Sequence, residues 1–213
     1  MSGKTMIIDP TKQSVKDNYK LMIGSILPRP IGFVSTKSAD SIDNLAPFSF
    51  FNGVCSNPPT ISFCPARRGK NGEIKDTLKN IQDTGVFALN IVSESFAPEM
   101  VSTATEFPPD ISEFDESGLT PVSCEKIDVM RVGESKISFE CELNQIIEIG
   151  DGSPGSGFLV LGTIVLFHVS DDLYENGRID LEKLQPIGRL AGANGYCRIS
   201  DRFEIERKIN PDK

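Results

Sequence analysis

The sequence predicts a mainly β protein, an antiparallel barrel with a few short helices. Residues 134–149 alternate between apolar and polar side chains, and residues 158–169 form a long apolar run, as expected for two strands joined by the glycine-rich stretch between them. Asn176-Gly177 marks a second hairpin turn. Many strands and few, short helical patterns favour an antiparallel barrel over an alternating βαβ array.

The first part of the chain predicts one weak helix followed by strands. Residues 17–26 carry apolar side chains at mixed spacings and predict a short helix or a turn. Residues 31–36 predict the first strand, and residues 37–43 predict a turn. Two further strands are predicted on either side of a bend at residues 53–59, which ends in two prolines that disfavour helical backbone before them.

The middle of the chain predicts a loop, two helices and a buried strand. Residues 66–74 are rich in glycine, asparagine and charge, which is typical of a loop. A helix is predicted over residues 76–84, with Asp76 as its N-cap, because the glycine that follows suits a helix C-terminus. The apolar residues 86–92 predict a buried strand, and residues 95–105 predict another short helix.

Size and composition fit one domain, residues 1–213, with a single core. A chain of 213 residues can bury about 70% of its unfolded surface without a metal or disulfide staple. No apolar run approaches the roughly 20 residues of a membrane span, and the first ten residues lack an apolar signal core. We therefore expect a cytoplasmic protein without a membrane partner. No repeat or linker divides the chain.

Charge and cysteine usage argue against several classes of protein. The net charge of −8 and the pI of about 4.8 disfavour a general nucleic-acid binder, which must neutralise phosphates. Five cysteines, an odd number without a CxxC pair, argue against a disulfide framework and against a zinc site. We expect neither nucleic acid nor a metal ion as a ligand.

Residues 44–59 stand out because small polar groups are threaded through an apolar, aromatic segment, NLAPFSFFNGVCSNPP. Serine and asparagine side chains, with the free N–H groups of a bend, can cradle a phosphate or the edge of a polar ring. The same groups can instead form a sheet corner in which they only satisfy their own backbone. The residues alone leave both interpretations open.

A basic segment follows in this otherwise acidic chain. Its cationic residues are Arg67, Arg68, Lys70, Lys75 and Lys79. The segment favours a small anionic ligand over a polyanion, and a solvated loop and helix face is the alternative. The predicted helix start at Asp76 would offer free N–H groups and the positive end of the helix dipole, and Thr77 would add a hydroxyl.

Three other features carry little functional signal. Residues 150–155 satisfy G-x-G-x-x-G, but a strand-like run follows, which argues against a dinucleotide fingerprint. His168, the single histidine, is predicted to be a structural residue satisfied by a nearby carboxylate. The acidic segment 107–118 predicts a surface loop whose carboxylates are too exposed for a catalytic pair, namely Asp110, Glu113, Asp115 and Glu116.

Four ordered motifs span most of the chain. They are RPIGFVST at residues 29–36, NLAPFSFFNGVCSNPPTISF at 44–63, KDTLKNI at 75–81, and GRLAG at 188–192 followed by Tyr196. Together they resemble the flavin reductase-like, FMN-binding split-barrel family, which includes flavoredoxins and the reductase components of two-component monooxygenases. The resemblance covers residues from about 21 to 198 and implies an antiparallel split β-barrel that dimerises.

The resemblance also implies where FMN would bind. The basic loop and helix start would meet the phosphate, residues 35–36 and 44–49 would line the ribityl chain and ring, and Cys55 and Pro58 would lie nearer the isoalloxazine. Arg189 and Tyr196 are further candidates, with a surface arginine and a half-buried tyrosine as the alternative. The candidate cofactor-binding residues are Arg29, Ser35, Thr36, Asn44, Leu45, Ala46, Pro47, Ser49, Cys55, Ser56, Asn57, Pro58, Arg67, Lys75, Asp76, Thr77, Arg189 and Tyr196.

The function implied by the resemblance is flavin reduction by NAD(P)H, with FMN favoured over FAD. Hydride transfer from nicotinamide to flavin requires stacking and exclusion of water but no protein acid or base, so we predict no catalytic side chain. The alternative is a non-catalytic electron carrier of flavoredoxin type. A homodimer is expected, with a monooxygenase or a redox protein as a downstream partner.

Overall fold

The computed structural model describes residues 3–207, so residues 1–2 and 208–213 of the predicted domain lie outside it. One seven-stranded antiparallel sheet dominates the fold. Its strands are β1 (Gly32–Lys37), β2 (Asp43–Phe48), β3 (Phe51–Ser56), β4 (Pro59–Phe63), β5 (Val86–Ile91), β8 (Ile137–Ile149) and β9 (Gly157–Val169). They are hydrogen-bonded in the order β2-β1-β5-β8-β9-β4-β3.

Three two-stranded ribbons and several short helices decorate this sheet. The ribbons pair β6 (Pro121–Ser123) with β7 (Met130–Val132), β10 (Tyr174–Glu175) with β11 (Arg178–Ile179), and β12 (Ile187–Arg189) with β13 (Tyr196–Arg198). The α-helices are α1 (Val15–Ser25), α2 (Asp76–Thr84), α3 (Ala97–Ser102), α4 (Glu113–Ser117) and α5 (Leu181–Leu184). The 3-10 helices are Pro10–Lys12, Glu94–Phe96 and Asp171–Leu173. The predicted mainly β class is confirmed.

The apolar residues form two principal cores, one on each side of the central strands. The first contains Phe63 and Phe87, fully buried rings whose centroids are 5.4 Å apart in an edge-to-face arrangement, and it includes Leu78 and Ile81 from α2. The second packs α3 and α4 against β1 and β2 through residues such as Phe114. These cores fix α2 and α4 on either side of β2, which positions the candidate site described below.

The long hairpin is confirmed. β8 and β9 pair along their whole length, from Ile137 opposite Val169 to Ile149 opposite Gly157, and the glycine-rich loop of residues 150–156 connects them. A strand rather than a helix follows this loop, so the G-x-G-x-x-G pattern has no dinucleotide-binding context. The predicted Asn176-Gly177 turn is confirmed as well, with φ angles of 51° and 79° that match a tight hairpin turn.

The prediction for the 44–63 segment was partly wrong. Three strands, β2, β3 and β4, are present instead of two, and residues 53–56 belong to β3 rather than to a bend. The chain turns instead at residues 49–50 and 57–58. Alternating polar residues did not prevent strand formation because β3 is an exposed edge strand whose side chains face solvent from Asn52 to Ser56.

The helix predictions hold with corrections at their ends. α1 is a true helix whose N-cap is Ser14, and the predicted helix at 95–105 is a 3-10 turn that continues into α3. α2 ends at Gly85 in the left-handed conformation as predicted, but its N-cap is Lys75, so Asp76 is the first helical residue. Within residues 3–207, the helices are all too short and polar to cross a membrane.

Candidate functional site

A buried cluster of amide and hydroxyl side chains lies between β1, β2 and the first turn of α2. The carboxamide oxygen of Asn44 accepts hydrogen bonds from Thr77 Oγ1 at 2.9 Å and Thr36 Oγ1 at 3.3 Å. Its Nδ2 donates to both oxygens of Glu113 at 3.0 Å, and Asn80 Nδ2 donates to Thr36 Oγ1 at 3.0 Å. We call these five residues the amide cluster. These hydrogen bonds orient the Asn44 side chain so that its oxygen faces α2 and its nitrogen faces Glu113.

Glu113, a member of the amide cluster, accepts hydrogen bonds from the Asn44 amide nitrogen, while the Asn44 oxygen faces α2. The prediction of Glu113 as an exposed loop residue was wrong. The residue is only 7% exposed because α4 packs against β2 through the neighbouring Phe114. Burial raises the pKa of the Glu113 carboxyl, although hydrogen bonds from the Leu45 N–H (2.9 Å) and from Asn44 oppose this rise. The carboxyl group therefore acts as an acceptor that orders β2.

The start of α2 leaves backbone donors without partners. Lys75 occupies the N-cap position in extended conformation and makes no side-chain capping bond. Within residues 3–207, the N–H groups of Asp76 and Thr77 have no hydrogen-bond acceptor. Such groups at a helix N-terminus, together with the helix dipole, favour an anion.

These donors open into a narrow cavity, which we call the α2 cleft. Its lining residues are Asn44, Ala46, Pro47, Arg68, Lys75, Asp76, Thr77, Thr103, Ala104, Thr105, Glu106, Phe107 and Glu113. Its volume is about 70 Å³, which suits a small group such as phosphate but not a whole nucleotide. A larger cavity of about 530 Å³, lined partly by residues 108–111, adjoins it and shares Asn44, Asp76 and Glu113 with it.

Charges of both signs line the α2 cleft. Arg68 donates from Nη2 to Asp76 at 2.7 Å and lies 3.5 Å from Glu106, so it neutralises part of the acidic lining. Lys75 Nζ lies 5.8 Å from the centre of the Phe48 ring. Burial lowers the pKa of Lys75, and the charge of Arg68 lowers it further, against the opposing effects of Glu106 and Asp76. A bound anion would offset the cost of burying the positive charge of Lys75.

Arg29 and Ser49 lie apart from the cleft. The Arg29 guanidinium is buried and donates to the carbonyl oxygens of Ile23 (2.8 Å), Ile26 (3.1 Å) and Leu190 (3.1 Å), and to Ser49 Oγ at 3.2 Å. It thereby closes the C-terminus of α1 against the loop after β12. Four of its five N–H donors are used within the fold, and its contact with the cofactor stays a prediction.

The remaining candidates are the exposed β3–β4 turn, the ion-paired Arg67, and a half-buried region formed by Arg189 and Tyr196. The four residues of the β3–β4 turn, Cys55 to Pro58, are exposed, and the Cys55 thiol donates to the Pro58 carbonyl at 3.1 Å. Arg67 does not line the α2 cleft, because its guanidinium donates to the Gly72 carbonyl (2.9 Å) and pairs with Glu148 (2.5 Å).

Arg189 and Tyr196 form a half-buried region next to a separate cavity. The guanidinium carbon of Arg189 lies 4.7 Å from the centre of the Tyr196 ring. Its nitrogens donate to four carbonyl oxygens of the loop between β12 and β13, at residues 190, 192, 193 and 195. Tyr196 lines an apolar cavity of about 530 Å³ together with Ala97, Val101 and Ile187.

The structure thus brings one group of candidates together and leaves others apart. Six of them line the α2 cleft: Asn44, Ala46, Pro47, Lys75, Asp76 and Thr77. Thr36 and Leu45 lie directly behind it, and Ser35 is fully buried, its hydroxyl accepting from Asn90 Nδ2 at 3.3 Å. The predicted site residues did not include Arg68, although it belongs to the basic segment, nor Glu113 and residues 103–107, which no sequence motif marks as part of a site.

Comparison with known proteins identifies the family. A family model described as the flavin reductase like domain matches residues 23–185. An uncharacterized protein of Halalkalibacterium halodurans is 40% identical over 204 residues, covering 95% of this chain and 96% of the relative.

Two solved structures have a similar fold. The nitrilotriacetate monooxygenase component B of Bacillus cereus is 43% identical, with a TM-score of 0.91 over 96% of this chain and 100% of that chain. A split-barrel protein of Shewanella frigidimarina is 20% identical, with a TM-score of 0.80 over 96% of this chain and 100% of that chain, and shares the fold. The sequence match and the fold agree: this chain is a member of the flavin reductase-like family.

Proposed function

We propose that this protein binds FMN with its phosphate in the α2 cleft and catalyses the reduction of flavin by NAD(P)H. The observation that carries the proposal is the start of α2, where two unpartnered backbone N–H groups and Lys75 line one narrow cleft, and the hydrogen bond from the Thr77 hydroxyl to Asn44 holds this first turn in place. This donor set has the chemistry that a dianionic phosphate requires. Membership of the flavin reductase-like family supports the same ligand.

The side chains of the cleft fit a phosphate in charge as well. Lys75 and Arg68 supply positive charge, and Arg68 also pairs with Asp76, which keeps that carboxylate from facing an anion without compensation. The Glu113 carboxyl lies behind Asn44, where Asn44 and the Leu45 N–H occupy its oxygens. The amide cluster would therefore hold Thr77 and the β2 backbone in place.

The flavin ring would have to lie outside the α2 cleft, which is too small for it. The residues expected near the ring, Ser49 and the exposed β3–β4 turn, lie on the surface of the protomer. A second copy of the chain would exclude water from this surface. Exposed apolar residues support such a contact. Tyr19 and Met22 of α1 and Val54 of β3 are each about half exposed, and the centre of the Tyr19 ring lies 6.4 Å from that of Phe50.

Bound FMN would supply the redox chemistry, accepting a hydride from a nicotinamide and releasing electrons to an acceptor. The protein residues would bind the phosphate, orient the ring and exclude water. No proton transfer from a side chain is required for the hydride step. By its name, the Bacillus cereus neighbour is a component of a monooxygenase, and we propose a monooxygenase or another redox protein as the acceptor here.

The double variant Lys75→Gln with Thr77→Val tests the phosphate position. The variant removes the Lys75 charge, whose hydrogen bond to an anion is worth roughly 1.5–3 kcal/mol, and the Thr77–Asn44 bond that positions the first turn of α2, so FMN binding should weaken at least about tenfold. The measurement is the dissociation constant from quenching of flavin fluorescence, with circular dichroism to verify folding. FAD titrated in the same way should bind more weakly than FMN.

Two matched variants serve as controls for this experiment. Lys70→Gln removes an exposed positive charge from the same basic segment, and Thr77→Ser retains the hydroxyl that bonds to Asn44. Both should bind FMN like the unmodified protein. A folded double variant with unchanged FMN affinity would place the phosphate elsewhere.

A further inference from the structure

A polar cavity lies at the end of the β8–β9 hairpin opposite to the 150–156 loop. Its volume is about 360 Å³, and it shares no lining residue with the α2 cleft. The lining residues are Arg131, Ser135, Lys136, Phe167, His168, Val169 and Ser170. We call it the His168 cavity. Three of its lining side chains are basic and none is acidic, although the chain as a whole has a net charge of −8.

Arg131 is the least satisfied of these basic residues. Among residues 3–207, no carboxylate lies within 4.0 Å of its guanidinium, and none of its nitrogens has a hydrogen-bond partner. Its Nε is buried, so water does not compensate for the missing partner. The terminal nitrogens of this guanidinium have no partner within residues 3–207, so they are available to a planar oxyanion that accepts two hydrogen bonds.

His168 is held with one ring nitrogen available to the cavity. Its Nε2 lies 2.6 Å from Oε1 of Glu140, a fully buried residue of β8. The Glu140 carboxylate also accepts from the backbone N–H groups of Glu125 and Lys126, both at 2.7 Å. This shell fixes the imidazole and leaves Nδ1 without a partner in the described chain. The predicted carboxylate partner of His168 is present, but it is Glu140 of the facing strand and not one of the aspartates that follow His168 in the sequence.

The other polar groups of the cavity keep free capacity. Lys136 Nζ donates one hydrogen bond, to the Lys183 carbonyl at 2.7 Å, and has two further protons. The Ser170 hydroxyl has no hydrogen bond within residues 3–207, and the backbone N–H of Ser170 bonds to the Lys136 carbonyl, which joins the two walls. Glu134, the carboxylate that precedes Ser135 in the sequence, accepts hydrogen bonds from the backbone N–H and the hydroxyl of Thr120.

We infer that the His168 cavity binds a small molecule through an oxyanion group, a carboxylate or a phosphate, held by Arg131 and completed by Lys136 and the Ser170 hydroxyl, with the His168 ring in the cavity wall. The cavity is larger than an inorganic ion requires, which leaves room for the body of a small metabolite. The site is separate from the proposed flavin site and does not depend on it.

The single histidine makes the test direct, because the ring signals of His168 cannot be confused with those of another residue. Inorganic phosphate and acetate are titrated separately into isotope-labelled protein at constant pH and ionic strength, with chloride as the balancing ion. Saturable shifts of the His168 ring signals are expected for the anion class that the site binds. Tighter binding of phosphate assigns a phosphate ligand, and tighter binding of acetate assigns a carboxylate.

The variant Arg131→Gln should weaken that binding at least about tenfold, because it removes the charged fork of donors. Arg178→Gln, which removes an exposed arginine outside the cavity, should leave it unchanged. If Arg131→Gln does not fold, Lys136→Gln takes its place, with a smaller loss expected. Shifts that never saturate, or that are the same in folded Arg131→Gln, would indicate only weak ion association and would overturn the inference.

Discussion

At the scale of single residues, buried carboxylates organise the polar interior of this protein. Glu113 orients the Asn44 amide beneath the α2 cleft, and Glu140 holds His168 at the other end of the sheet. Each carboxyl group accepts a hydrogen bond from at least one backbone N–H, which offsets the cost of burying both the carboxyl group and the N–H. Their environments differ, because burial raises the pKa of Glu113 whereas hydrogen bonds prevail at Glu140.

Replacement of Glu140 by glutamine should give a pH-dependent loss of stability. Burial tends to raise the pKa of Glu140, but the N–H of Glu125, the His168 ring and the N–H of Lys126 outweigh it, so the pKa falls below the ordinary 4.5. A lowered pKa contributes stability that is present above pH 4.5 and is lost as pH falls through the folded-state value. Glu140→Gln should therefore lower the free energy of unfolding by roughly 1.5–3 kcal/mol near neutral pH.

Urea denaturation at a series of pH values measures this effect. The difference in the free energy of unfolding between the unmodified protein and Glu140→Gln should shrink progressively below pH 4.5, as the Glu140 carboxylate of the folded protein becomes protonated. Glu142→Gln, at an exposed position of the same strand, should change stability little at any pH. A gap that stays constant down to strongly acidic pH would contradict the role given to the Glu140 charge.

The sequence predicted these residues only in part, for a physical reason. Asn44 and Thr77 were identified because they belong to motifs that resemble a known family. Glu113 was taken for a solvent-exposed residue because its neighbours are acidic, and only the packing of Phe114 against β2 buries it. The partner of His168 lies 28 residues away on the facing strand, so neither sequence spacing nor nearby aspartates could identify Glu140.

At the scale of elements, hydrophobic pattern and turn residues were the reliable signals. The β8–β9 hairpin, α2 and its terminal glycine were predicted correctly because alternation, glycine and capping act locally. The segment 44–63 was predicted with one strand too few, since β3 pairs only with β4 and carries mostly solvent-facing side chains. Edge strands of this kind have no strong hydrophobic period to detect.

Gly162, in the middle of β9, tests how closely the barrel core is packed. A Cβ at this position would lie 2.3 Å from Cζ and 2.7 Å from Cε1 of Phe87, a fully buried ring. Gly162→Ala should therefore destabilise the protein by roughly 1–3 kcal/mol through overpacking. The measurement is the midpoint of thermal or urea unfolding.

Gly53→Ala provides the matched control for this substitution. Gly53 lies in the exposed strand β3, and a Cβ there would have no neighbour within 4 Å. The free energy of unfolding of Gly53→Ala should stay within about 0.5 kcal/mol of that of the unmodified protein. Equal effects of the two substitutions would mean that the packing around Phe87 adapts more freely than the structure indicates.

At the scale of the whole molecule, the fold separates two polar sites on one sheet. The α2 cleft lies beside β2, toward one edge of the seven-stranded sheet, and the His168 cavity lies at the open end of its central hairpin. In the function proposed above, the flavin ring would lie between the cleft and the exposed β3–β4 turn, and a second copy of the chain would complete its surroundings. Sequence could predict the first site through family motifs but had no motif for the second.

The central claim, that this protein reduces flavin with a nicotinamide nucleotide, is tested most directly by an anaerobic titration of the FMN-loaded protein. NADH and then NADPH are added while the visible absorbance band of the flavin is followed. Rapid bleaching by one nucleotide, in preference to the other, is the result that we predict. Flavin that is bleached by dithionite but by neither nucleotide would contradict the reductase and indicate an electron carrier, and failure to bind FMN would contradict the proposed site itself.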